Sequence, residues 1–111
     1  EVMNIIGDVK GKTCVLFDDM IDTGGTIIQG AQALMDNGAK AVYAACTHAV
    51  FSGQAPQLLQ ESVLQEVIVT DTINITPEKK FSKLTVLSVA DLFAEAIRRI
   101  FEELPVSKLF D

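Results

Sequence analysis

The chain has 111 residues, 49% hydrophobic and 22% charged, which suits one domain or part of one with enough apolar material for a core. A formal charge of −6 leaves no basic footprint, so nucleic acid is not an expected partner, and no apolar run approaches the ~20 residues that a spanning helix needs. Glu1 opens neither a basic n-region nor a signal-like segment; lacking an initiator Met, the chain reads as starting inside a longer gene product.

In chain order, Val2 to Ile6 and Thr13 to Phe17 are strand-like runs joined by Asp8-Val9-Lys10-Gly11-Lys12, a turn short enough for a hairpin. Beyond a polar, glycine-bearing stretch, Ile27, Ala31, Leu34 and Met35 recur as one apolar helix face, closed by Asn37-Gly38. Ala41 to Cys46 reads as a buried strand, Pro56 to Glu61 as a short helix starting at a proline, and Glu66 to Thr70 as a further strand. The polar loop Thr76-Pro77-Glu78-Lys79-Lys80 precedes a strand at Leu84 to Leu87. Ser88 with Asp91 resembles a capping box. It leads a helix striped by Phe93, Ile97, Ile100, Phe101 and Leu104, read as core, with Arg98 and Arg99 outside and Pro105 as its stop. Cys14 and Cys46 lie in strand-like runs without C-x-x-C spacing and read as buried thiols of a reducing compartment. Strands separated by helices predict an α/β fold with a mostly parallel sheet and flanking helices, whose ligands sit at the carboxyl ends of strands.

The segment Leu16-Phe17-Asp18-Asp19-Met20-Ile21-Asp22-Thr23-Gly24-Gly25-Thr26-Ile27-Ile28 falls at such an end. It runs an apolar strand into paired carboxylates, then a hydroxyl- and glycine-rich turn, then a helix, which is the order of a sugar-phosphate pocket. Asp18 and Asp19 supply acceptors for vicinal hydroxyls, while Thr23 to Thr26 offer backbone N–H groups and two hydroxyls at a helix N-terminus, where an anion is favoured. Gly24 and Gly25 let the main chain bend and approach the anion. From Thr13 to Ala39 there is no Lys or Arg, so a phosphate here must be held by neutral donors and a helix end, with the carboxylates on the sugar's hydroxyl side or screened by Mg²⁺. A plain strand-to-helix turn explains one Asp and one Gly, but not three carboxylates beside two glycines and two threonines.

Three short patterns imitate other sites. Gly7-Asp8-Val9-Lys10-Gly11-Lys12-Thr13 is one residue short of a P-loop between its glycines and precedes a strand where a P-loop follows one. Asp22-Thr23-Gly24 copies an aspartic-protease triplet, yet a helix follows where those all-β enzymes need a strand. Asp18-Asp19-x-x-Asp22 copies a carboxylate cluster of prenyl-transferring enzymes, which sits on a helix in an all-α fold.

Asp18 to Thr26 resembles the phosphoribosyl-diphosphate loop of the type I phosphoribosyltransferase fold, and in this spelling it is similar to the ribose-phosphate diphosphokinase family. Gly7 to Lys12, Thr47 to Gly53, Thr70-Asp71-Thr72-Ile73 and Ser107-Lys108-Leu109-Phe110 extend the resemblance across the chain in the same order. The resemblance implies that residues 1–111 are a C-terminal part of a phosphoribosyltransferase-like domain, within a longer two-domain, cytoplasmic enzyme. That enzyme moves the diphosphoryl group of ATP to ribose 5-phosphate with Mg²⁺. By the same resemblance Asp18 and Asp19 hold the 2- and 3-hydroxyls, and Asp22, Thr23, Gly24, Gly25 and Thr26 bind the 5-phosphate. No catalytic residue is expected in this stretch, because the family's adenine site and cationic loop lie upstream. Homo-oligomers, hexamers in the family, are implied as well, and Ser107 matches one serine of a phosphate-responsive segment, whereas Pro105 stands where another is expected. The rival readings are a purine or pyrimidine phosphoribosyltransferase and a non-catalytic, synthetase-associated module. His48, the only histidine, reads as a hydrogen-bonded structural residue rather than a base, and Ser52-Gly53 as a turn. Lys79 and Lys80 read as a solvated pair, with polyphosphate binding the alternative.

Overall fold

A computed structural model describes residue 5 and residues 7–110. Four strands, β1 (Thr13–Ile21), β2 (Ala41–Ala49), β3 (Glu66–Thr70) and β4 (Leu84–Leu87), form one sheet in the order β1-β2-β3-β4, each parallel to its neighbour. Helix α1 (Gly25–Asp36) joins β1 to β2, and α2 (Ala55–Glu61) joins β2 to β3. A 3-10 turn (Pro77–Lys79) precedes β4; α3 (Ala90–Phe101) and a second 3-10 segment (Val106–Phe110) follow it. The α/β architecture with a parallel sheet and flanking helices is therefore present. The expected strand at Val2 to Ile6, and with it the hairpin, lies outside the described residues except for Ile5, which is in no strand.

Stepping across the sheet in one direction with right-handed crossovers puts α1 and α2 on the same face. Val42, Ala44 and Cys46 of β2 and Val67 and Val69 of β3 are buried there with Ile27 and Ala31 of α1 and Ala55 and Leu59 of α2. The intervening residues Tyr43, Ala45 and Ile68 face the other way and stay half-buried. On β1, at the sheet's edge, Phe17 is 81% exposed. The thiols divide accordingly: Cys46 is buried, whereas Cys14, expected to be, is only half-buried.

Two expectations about α3 are corrected. Its stripe is not core: no residue of the helix is buried, Ile97 and Phe101 are 67% and 88% exposed, and α3 packs against the 3-10 segment that follows it. Periodicity created an apolar face without specifying what covers it. Nor is there a capping box. Val89 is the N-cap; its N–H donates to Asp71 Oδ1 at 2.9 Å, and Ala90 N–H to Ser88 Oγ at 3.2 Å. The Val89 N–H, with the Ser88 hydroxyl, holds the Asp71 carboxyl below the usual range. Of the two arginines expected outside, Arg98 is exposed between Glu95 and Glu102, whereas Arg99 is half-buried and donates to Pro105 O at 3.2 Å; Arg98, joined by Arg99, holds Glu95 down to about 2. The helix ends at Phe101, and Glu103, at φ 59°, turns the chain before Pro105 is reached.

Burial pushes the Cys46 thiol up from 9.0 to about 11, with the charges of Asp18 and Asp19 adding to the rise. The folded chain keeps this proton over a range where the unfolded thiol has lost it, so stability falls as pH rises from about 9 towards about 11. Cys46→Ala should lose less stability than wild type between about pH 8 and about pH 10, measured by urea unfolding. Equal losses in the two proteins would show that this thiol does not drive the alkaline decline.

Candidate functional site

β1 continues past the expected end at Phe17 to Ile21, because its ladder with β2 extends to Ile21 opposite Ala49. Asp18 and Asp19 thus stand on the strand itself rather than in the turn. Alternation sends their side chains to opposite faces. Asp18, opposite Cys46, belongs to the face carrying α1 and α2, and its Oδ1 accepts the Asp19 N–H at 2.8 Å.

After Ile21 the chain turns into α1 through Asp22, Thr23 and Gly24. Gly24 is the N-cap in a left-handed conformation, φ 88°, and is buried, so a side chain there would be strained by the backbone even though its nearest neighbour, Leu59 Cγ, lies at an ordinary 3.5 Å. Gly25 differs from expectation. It carries no positive φ, and a Cβ built on it meets nothing within 4 Å. Its missing side chain leaves open space instead of enabling a bend. No side chain caps α1 and no acidic residue occupies its first turn. The Ile28 N–H closes the first turn on Gly24 O at 3.0 Å, so the amides of Gly25, Thr26 and Ile27 are left without helical carbonyls. A cleft of about 180 Å³ lies over these groups. Asp18, Asp22, Thr23, Gly24, Gly25 and Thr26 line it together with Met20, Ile21 and Ile27. Six of the seven candidate residues are therefore brought together, and Asp19 is not among the lining. No Lys, Arg or His lines the cleft, so an anion there would meet dipoles rather than a cation.

The other candidates lie apart. His48 is half-buried and, as expected, hydrogen-bonded, with Nδ1 2.8 Å from Thr72 Oγ1; the hydroxyls of Thr70 and Thr72 both donate to Thr47 O, at 2.6 and 3.1 Å. Lys79 is not a freely solvated loop cation: it is half-buried and its Nζ donates to Val50 O at 3.1 Å, while Lys80 is exposed. Ser107 is exposed on the 3-10 segment that packs on α3. The described residues contain no group of three or more His, Cys, Asp or Glu placed to share a metal ion. Asp18 and Asp22 alone suit Mg²⁺ only in its usual manner, one or two carboxylates with the rest of its shell from substrate oxygens and water. Sequence reasoning missed Phe51 and the backbone contacts behind the loop, which leave no signal in a side-chain pattern.

The family model described as "Phosphoribosyl synthetase-associated domain" matches residues 1–111. The chain belongs to this family. Among its relatives in the phosphoribosyl synthetase family, a ribose-phosphate pyrophosphokinase of Clostridium tetani is 62% identical over 111 residues, all of this chain and 35% of the relative. Another, from Caldanaerobacter subterraneus subsp. tengcongensis, is 60% identical over 110 residues, again 35% of that protein. A crystal structure of phosphoribosylpyrophosphate synthetase from Mycobacterium smegmatis superposes with a TM-score of 0.87 at 57% identity, covering 88% of this chain and 33% of that one. The chain thus spans about a third of the length of the phosphoribosyl synthetases it matches.

The two glycines should respond differently to substitution. Gly24→Ala is expected to destabilise by about 1–2 kcal/mol, the cost of a left-handed non-glycine residue. Gly25→Ala should leave stability unchanged or raised by up to ~1 kcal/mol, through lower entropy of the unfolded chain. Urea denaturation of both variants checks the difference, and equal destabilisation would contradict the geometry.

Proposed function

We propose that this chain is the part of a ribose-phosphate pyrophosphokinase that holds ribose 5-phosphate. The observation that carries the reading is the cleft at the end of β1, where an uncapped helix N-terminus and two carboxylates converge with no cation. The amides of Gly25 to Ile27 and the hydroxyls of Thr23 and Thr26 would take the phosphate, at an end where the helix dipole favours negative charge. Asp18 would accept a ribose hydroxyl from within the cleft, and Asp19, carried over from the resemblance, another from beside it. Asp22 lies nearest the phosphate donors in sequence, so its carboxylate would face a hydroxyl or a metal-screened oxygen rather than the phosphate itself.

In the reaction proposed for the whole protein, the diphosphoryl group of ATP passes to the anomeric oxygen of ribose 5-phosphate. This part would contribute the position of the acceptor, which fixes the attacking oxygen in line. Mg²⁺, bound mainly by substrate oxygens with Asp18 or Asp22 as protein ligands, would supply charge neutralisation. The chain, as one part of a longer protein, would act in a homo-oligomer. Its relatives are about three times as long, which agrees with the nucleotide half of the site lying elsewhere. A phosphoribosyltransferase would use the same loop, but the named relatives favour the synthetase. The family description also admits a non-catalytic partner; three Asp, two Gly and two Thr in the loop argue for a working site.

Ribose 5-phosphate should bind the protein, and Asp18→Ala should weaken it by about 1–3 kcal/mol, the scale of charge-assisted hydrogen bonds. Calorimetric titration of wild type, Asp18→Ala and Asp19→Ala tests both carboxylates, and unchanged affinity removes the residue concerned from the site. The 111-residue chain alone should form no AMP from ATP and ribose 5-phosphate; measurable turnover would place the nucleotide machinery within it.

A further inference from the structure

The loop that carries the cleft is gripped from behind. Three consecutive amides of the β2–α2 connection donate to its backbone: Val50 and Phe51 to Ile21 O at 3.0 and 3.1 Å, and Ser52 to Asp22 O at 2.9 Å. These two carbonyls lead directly into Thr23-Gly24-Gly25. The Phe51 N–H and the Val50 C=O belong to one peptide unit, which is held at both ends, its N–H by Ile21 and its C=O by Lys79 Nζ at 3.1 Å. An ammonium on the carbonyl polarises the peptide and strengthens the donation from its N–H. Phe51 itself sits at φ 52°, a left-handed conformation unusual for a bulky residue, and is fully buried with its ring 5.8 Å from that of Phe81. Such a conformation persists only where the surroundings over-determine it. The Phe81 ring contact and the Lys79 bond both come from the segment between β3 and β4, so that segment helps to hold the connection, and the connection holds the loop.

We propose that Lys79 and Phe51 are positioning residues for the anion cleft: Lys79, holding the Val50–Phe51 peptide from behind, fixes the backbone from Ile21 to Gly24 and thereby aims the amides of α1. The inference rests on the sugar-phosphate reading of the cleft. It assigns the Lys79 cation to the protein's own backbone instead of to a polyphosphate. Neighbouring Lys80 has the same charge but is exposed, and it provides the control.

The test uses the full-length protein that contains this chain, with Lys79→Met, Lys79→Arg and Lys80→Met. Amide hydrogen exchange at Phe51 and Ser52 without ligand, and calorimetric affinity for ribose 5-phosphate and inorganic phosphate, are the two readouts. Lys79→Met should exchange about tenfold faster at these amides and bind ribose 5-phosphate about 3–10-fold more weakly, the loss expected from one charge-assisted bond acting through the loop. Lys79→Arg should recover part of both, and Lys80→Met should match wild type. Unchanged exchange in Lys79→Met overturns the inference, as does faster exchange with unchanged affinity. An equal loss of affinity in Lys80→Met overturns it too, because the effect would then be general charge. Wild type that binds neither ribose 5-phosphate nor phosphate would instead refute the sugar-phosphate reading, while the exchange data still decide whether Lys79 holds the connection.

Discussion

The parallel ladder between β1 and β2, from Thr13 opposite Ala41 to Ile21 opposite Ala49, is the constraint on which the site depends. A parallel pair cannot close with a tight turn; it needs a crossover, and here the crossover is α1. Because the ladder runs to Ile21, the carboxylate of Asp18 is held on a strand while the amides of α1 begin a few residues later, across one tight turn. Rigid elements thus bring an acceptor and a set of donors to one cleft. Only Asp22 to Gly24 lie between strand and helix, and the carbonyls of Ile21 and Asp22 that lead into the turn are held by the β2–α2 connection.

Electrostatically the cleft is unusual in lacking a cation. The net charge of −6 and the carboxylates beside the helix end disfavour a free phosphate, and what the cleft offers an anion is the Gly25 to Ile27 N–H groups without helical carbonyls, at the positive end of the α1 dipole. Under the proposed sugar-phosphate reading, such a cleft would suit a ligand with hydroxyls as well as an anion, since hydroxyls would satisfy the carboxylates that a phosphate cannot. Lys79, behind the loop, is committed to a backbone carbonyl.

Among the described residues, α1 and α2 pack on one face of the sheet, and the other face is only partly covered, with Tyr43, Ala45 and Ile68 half-buried. Sequential strand order with right-handed crossovers leaves Val15 and Phe17 of the edge strand exposed, and α3 shows Phe93, Ile97 and Phe101 to solvent. These surfaces are apolar by sequence and open in this chain, and the relatives are about three times its length.

The local pattern of residues determined much of this. The α/β class, the spans of β3 and β4, the start of α2 within one residue and the closure of α1 at Asn37 all follow from apolar periodicity, proline and glycine, which act over a few residues. That Asp18, Asp22 and the Thr23 to Thr26 run would meet in one cleft was legible because a strand, a turn and a helix start are local events. Tertiary structure decided the rest. Whether β1 stops at Phe17 or Ile21 depended on a partner strand distant in sequence, and with it whether Asp18 and Asp19 share a face. Whether the α3 stripe is core depended on what packs against it, which periodicity does not encode. The left-handed Phe51, the amides it presents to Ile21 and Asp22, and the bond from Lys79 to Val50 arise from backbone groups that every sequence carries, so only the folded chain could say which carbonyl each one meets.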